Sequence, residues 1–232
     1  MEAALAQALD ELDAIRQIEH DARESLRKGR SEAAWNSFVH YPLLKLAIQN
    51  RPNIALELVT SARIMPKFAP KWFGAEGDPT ASKMVDFVLL LSLDPEEASP
   101  VIQLSASTGG NSIPTTTSQP ILHAGEASRL HAAIVSKISS QPAGENALNQ
   151  TRYSPLTYSP IAISLETKSS AGSIEEAKVQ LGVWTAAWHK RMKLLLGLNS
   201  RMIVTLPLLL AVEHDWKLFF ACDKGDSIRY GY

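Results

Sequence analysis

Apolar residues in the first thirty positions recur at helical spacing. Leu5, Leu9, Leu12, Ile15 and Ile18 fall on one side of a helix predicted over residues 4–28. "RKGR" interrupts it, and Ser31 is placed to cap a second helix, "EAAWNSFVHYPLLKLAIQ", in which Pro42 predicts a kink or a step. The pattern then changes. Runs rich in Val, Leu and Ile predict strands over 54–64 and 84–93, joined by a loop, "MPKFAPKWFGAEGDPTASK". "SASTGGNSIPTTTSQP" (105–120) is too poor in apolar residues to pack and predicts a mobile insertion. Helical spacing returns over 124–140, and a strand follows over 160–166. Ser173 and Glu176 form a capping-box pattern that opens a helix from about 174 to 197. "RMIVTLPLLLAVE" and "WKLFFAC" flank His214 and Asp215 and read as a β-hairpin.

This order predicts an α/β (α+β) fold, one central mixed sheet flanked by helices. Residues 1–30 read as a helical arm and 31–232 as a single domain. There is no internal repeat.

Composition narrows the function classes. A chain of 232 residues, 45% of them hydrophobic, can bury a full core without staples. A single cysteine, Cys222, excludes a disulfide framework and argues against a cysteine zinc cluster. With no long apolar run, no membrane is expected, and the acidic, amphipathic N-terminus does not resemble a signal peptide. A cytoplasmic location is therefore expected, with no obligatory protein partner evident. The net charge of −1 lacks the basic excess that coats duplex DNA, so any nucleic-acid binding must come from a local patch. Lys67, Lys71 and "HKRMK" (189–193) are the basic candidates, weighed against ordinary solvated surface.

Candidate chemistry gathers at the strand over 160–166. Glu166 and Lys168 stand two apart, so strand alternation puts both on one face with Thr167 on the other. Asp86 interrupts the apolar run "KMVDFVLLLSL", where an acid must be solvated, paired or bound to a cation. If the two strands are neighbours, two carboxylates and an ammonium converge. Such a set can hold Mg²⁺ through oxygen and stabilise developing negative charge through the lysine. A buried ion pair at a sheet end is the plain alternative. Gln180, Trp184 and Trp188 share one face of the following helix, and Gln180 there requires a hydrogen-bond partner. Glu32, Asn36 and His40 form a second stripe, either solvated or facing the same cleft. No phosphate-binding glycine loop, GxSxG or HExxH is present.

Glu32 on a helix, Asp86 on a strand and Glu166-Thr167-Lys168 on the next strand together resemble the PD-(D/E)XK nuclease fold. Gln180 with Trp184 resembles its QxxxY element, with Trp in place of Tyr. The blocks "SEAAWNSFVHYPLLKLA", "KMVDFVLLLS", "NQTRYSPLTYSPIAISLETK" and "QLGVWTAAW" look like the fungal nuclease-like members, over about residues 31–222; Val85 replaces the proline before the aspartate. The resemblance implies two activities. The leading one is that of the arginine-containing cyclodipeptide synthases, which join arginine from arginyl-tRNA with a second aminoacyl-tRNA group into a diketopiperazine and need no cofactor. There the carboxylates of Glu166, Asp86 or Glu32 would pair with the guanidinium and Lys168 would stabilise the oxyanion. Asn36, His40, Trp184 and Tyr158 would line the substrate, and Ser164, Ser169 or Tyr158 would serve if a covalent aminoacyl-enzyme forms. The alternative is a Mg²⁺-dependent nuclease acting on DNA or RNA. There Asp86 and Glu166 would be metal ligands, Lys168 would orient water, and Glu32 and Gln180 would tune the site.

Overall fold

The computed structural model describes residues 2–70, 85–93, 124–197, 203–224 and 227–231. The predicted insertion at 105–120 and Lys71 lie outside them. A long helix α1 (Glu2–Lys28) opens the chain, and Gly29 ends it with a φ of 56°. In the following turn Ser31 accepts a hydrogen bond from the Ala34 N–H and caps α2 (Glu32–Trp35). The predicted single helix is stepped. Pro42 has no N–H to give to the carbonyl four residues back, so the ladder widens into a π-turn over Asn36–His40. There the Tyr41 N–H bonds to the Asn36 carbonyl, and α3 (Tyr41–Ile48) continues from that point.

The sheet has six strands in sequential order, β1 (Ile54–Leu58), β2 (Phe87–Leu91), β3 (Ile161–Lys168), β4 (Leu206–Val212), β5 (Asp215–Asp223) and β6 (Ile228–Gly231). All neighbours are antiparallel except β3 and β4. That parallel pair needs a long crossover, supplied by α5 (Ile174–Leu196). Ser173 caps α5 by accepting from the Glu176 N–H, and Gly197 closes it in the left-handed region. Helix α4 (Ala124–Ser139) packs into the same core as α5, through Ala127, Ile134 and Ile138.

Two differences from the predicted strands matter. The first strand stops at Leu58: Val59 makes a last in-register bond to the Asp86 carbonyl, its own carbonyl accepts from the Ala62 N–H in a turn, and Ile64 then bridges Thr151. The second begins at Phe87, leaving Asp86 one residue before the strand, not inside it. The hairpin turn falls on Glu213 and His214, and β6 had no clear signal in its four residues.

The sheet is buried on both faces. The larger core holds Trp184, Leu181 and Ala177 of α5 against Val88, Leu208 and Leu210. The smaller one holds Leu44 of α3 against Phe87 and Leu165. Leu165 thus faces α3, while Ser164 faces α5 and accepts a hydrogen bond from Trp184 Nε1 at 3.1 Å. By alternation Glu166 and Lys168 lie on the α5 face with Ser164.

Candidate active site at the end of strand β3

Strand register makes the site. Phe87 of β2 pairs with Leu165 of β3, and the Asp86 N–H donates to the Leu165 carbonyl at 3.1 Å, so Asp86 is drawn alongside Glu166. Its Oδ2 accepts from both the backbone N–H (2.8 Å) and the hydroxyl (2.7 Å) of Thr167. This fixes the carboxylate at the strand end. Lys168 Nζ donates to Glu166 Oε1 at 2.5 Å and lies 3.5 Å from Glu32 Oε2. The N-terminus of α2 therefore delivers Glu32 to a pair built on β3.

The electrostatics are those of a desolvated cluster with too much negative charge. Glu166 is 1% exposed, and its second oxygen, Oε2, has no hydrogen-bond partner. Burial, then the charge of Asp86, pushes its carboxyl up to about 8. Burial also raises Glu32, against the pull of Lys168. Burial alone would lower Lys168, but its bond to Glu166 and the charges of Glu166, Glu32 and Asp86 outweigh that and raise it. The two partners' shifts share one cause. Three carboxylates face a single ammonium, so the cluster gains by taking up a proton or a cation.

The loop after Lys168 is clamped. The Glu213 N–H donates to the Lys168 carbonyl at 2.9 Å, and Glu213 Oε1 accepts from the Ser170 N–H at 3.0 Å. Glu213 has a φ of 52°, an uncommon conformation for a residue other than glycine. Gly172 sits under Lys168: a Cβ there would lie 2.8 Å from Lys168 Cδ and 3.1 Å from its Cβ. Neither residue was predicted. The only signal for Gly172 is a glycine just after a charged strand end, and Glu213 reads as the last residue of the strand run "RMIVTLPLLLAVE".

Gln180 follows from α5. Trp184 is anchored opposite Ser164, and Gln180 is about one turn, roughly 5.4 Å, nearer the start of the helix. That brings it level with Glu166, and its buried Oε1 also lacks a partner. Asn36 lines the cleft in front of Asp86.

The remaining predicted substrate residues sit elsewhere. His40 is fully buried between Trp35 and Trp216. Nε2 lies 2.7 Å from the Glu213 carbonyl and Nδ1 lies 2.9 Å from Asn36 Oδ1, so each ring nitrogen faces an oxygen acceptor. Burial lowers its pKa against the Glu213 carbonyl and the charge of Asp86, and the ring braces the Glu213 turn. Trp184 and Ser164 are bonded to each other in the core, which removes both from solvent. Tyr158 precedes β3, whose first residue is roughly 16 Å from Glu166 at 3.3 Å per residue, and packs on His131.

The basic candidates are largely structural. Arg191 is buried and donates to the carbonyls of Glu145, Ala147 and Leu148. His189 Nδ1–H donates to the Thr185 carbonyl, Lys193 pairs with Asp223 and Lys67 with Glu145. Within "HKRMK", Arg191 braces the loop before β3 and Lys190 Nζ donates to the Ala69 carbonyl.

A cleft of about 530 Å³ opens beside Asp86, walled by Glu32, Ala33, Asn36, Tyr41, Leu58 and Phe87. A carboxylate-lined cleft backed by an ExK strand end now stands on a mixed sheet with the crossover helix behind it. The model of the PD-(D/E)XK nuclease superfamily matches residues 1–231. The chain belongs to the PD-(D/E)XK nuclease superfamily. A search of the curated proteins and one of the solved structures each found no match.

Within that superfamily pattern the donor set fits a hard cation. Glu166 Oε2 is an orphaned, buried acceptor, and the cluster carries excess negative charge. Among the described residues no three His, Cys, Asp or Glu side chains close around one ion. Two carboxylates that leave room for water suit Mg²⁺ better than Zn²⁺. No described helix is long and apolar enough to cross a membrane.

Proposed function

We propose that this superfamily member is a Mg²⁺-dependent phosphodiesterase acting on nucleic acid. The unpartnered, buried oxygen of Glu166 beside Asp86 supports this reading most directly. Asp86 and Glu166 would hold the ion, which supplies Lewis acidity toward a phosphoryl oxygen when bound. Lys168, kept charged by its carboxylate neighbours, positions the attacking water and offsets negative charge gathering on the phosphoryl oxygens. Glu32, on the cleft wall and raised by burial, is placed to take the water's proton. The new bond joins the water oxygen to phosphorus, the P–O bond to the leaving group breaks, and a proton ends on the departing oxygen.

One observation favours a second reading. The described cleft lining carries Glu32 and Asp86 and no Lys or Arg, which suits a guanidinium. An arginine-containing cyclodipeptide synthase would use it to seat arginine from arginyl-tRNA. An α-amino group then attacks the ester carbonyl of a second aminoacyl-tRNA, the tRNA hydroxyl leaves, and a second aminolysis closes the ring. Glu166 would serve as the base, and no metal is required.

The test runs purified wild type and Lys168→Ala on DNA and RNA with Mg²⁺ or a chelator, beside mass spectrometry of bacterial expression extracts. Mg²⁺-dependent cutting that the variant loses supports the nuclease. An arginine-containing cyclic dipeptide made only by wild type, with no cutting, supports the synthase and overturns the nuclease.

A further inference from the structure

We propose that the cleft beside Asp86 takes an unpaired nucleotide, so that the enzyme acts on single-stranded or locally unpaired nucleic acid in preference to intact duplex. This rests on the nuclease reading and adds its substrate class.

Three features carry it. First, the cleft is a pocket, not a rail. Its volume of about 530 Å³ suits one small organic group, and a base held in a duplex cannot enter without leaving the stack. Second, its walls suit a base. Tyr41 is 38% exposed and stands 6.4 Å from the buried ring of Phe87, and Leu58 and Ala33 complete the apolar surface. An aromatic face stacks on any base, while Asn36, Ser37 and Thr60 supply amide and hydroxyl groups for the base edge or sugar. Third, the described walls carry no cation for a duplex backbone. No described lining residue is basic, and Arg191, Lys193 and Lys67 are engaged within the protein. Stacking on Tyr41 is the grip that the described walls offer. Asp86 lies on the same wall, so a nucleotide seated against Tyr41 leaves its flanking phosphate beside the carboxylates.

The experiment uses the full chain. Cleavage of one labelled oligonucleotide with Mg²⁺ is compared as a single strand, as a duplex, and as a duplex with one bulged nucleotide. Binding is read separately with Lys168→Ala in Ca²⁺, from quenching of a fluorescent adenine analogue in the strand. We expect the single strand and the bulge to be cut at least about tenfold faster than the duplex. We expect quenching to be lost in Tyr41→Ala, with binding about 5- to 150-fold weaker, the effect of losing one base–aromatic stack. Tyr41→Phe should restore it. Leu58→Glu, at an exposed position, should block the pocket without touching the core. Duplex cut as fast as single strand, or strand binding unaffected by Tyr41→Ala and Leu58→Glu, overturns the proposal. Pocket-dependent strand binding with no cleavage of any substrate refutes the nuclease chemistry but supports the pocket.

Discussion

Replacing Glu166 with glutamine separates the charge of this side chain from its shape. In the folded protein the Glu166 carboxyl ionises at about 8, against an ordinary 4.5. Below pH 4.5 both the folded and unfolded chains carry the proton, and the residue exerts no penalty. Between 4.5 and 8 the unfolded chain releases it and the folded chain keeps it, so stability falls as pH rises. The loss totals on the order of 5 kcal/mol at pH 8 and above, at 1.36 kcal/mol per pKa unit. Glutamine cannot ionise and removes that slope. Lys168 keeps an oxygen to donate to but loses its closest charge, which returns a few kcal/mol of cost. The net expectation for metal-free Glu166→Gln is a gain of about 2 kcal/mol at pH 8.5, or about 4–8 °C in Tm for a domain of this size, and no gain near pH 5. Mg²⁺ should reverse the order, since only wild type offers the ion a charged oxygen there. Thermal melts of both proteins at the two pH values, with Mg²⁺ and with chelator, check this. Equal pH slopes for wild type and variant would refute the assignment of the raised group to Glu166. Equal stabilisation of both by Mg²⁺ would refute it as a metal ligand.

Gly172→Ala should push Lys168 off its packed path, lowering kcat about tenfold or more with little change in KM, and steady-state kinetics read the split. Arg191→Met should cost about 3 kcal/mol or more in urea unfolding, because several buried carbonyls lose their donor, while the salt dependence of nucleic-acid binding stays unchanged; a flattened salt slope would restore a phosphate role. His40→Phe keeps the ring but frees the Glu213 carbonyl, and a lowered kcat together with lost stability is expected; full activity would refute the brace.

Much of the fold was legible because it depends on neighbours in sequence. The Ser31 and Ser173 caps, the break at "RKGR" and the period of each run act over a few residues. Glu166 and Lys168 could be put on one strand face because that follows from a spacing of two. Errors arose where a distant contact ended an element. The chain turns between Val59 and Ala62 so that Ile64 can bridge Thr151, which cuts the first strand short, although nothing in "LVTSARI" marks the end. The stripe of Glu32, Asn36 and His40 was correct as spacing but not as shared destiny. The π-turn at Asn36–His40 divides it: Glu32 reaches Lys168, Asn36 faces the cleft, and His40 is buried against Glu213.

By itself, then, the sequence determined the elements other than β6, their order and which residues could carry charge chemistry, since local propensity and alternation are short-range physics. Only the tertiary structure decided which of those charges meet. Antiparallel register draws Asp86 to Glu166, α2 brings in Glu32, and the crossover helix buries the group. Burial is what lifts Glu166 to about 8 and leaves its second oxygen without a partner. Desolvation belongs to the packed molecule, and no residue carries it in the chain alone.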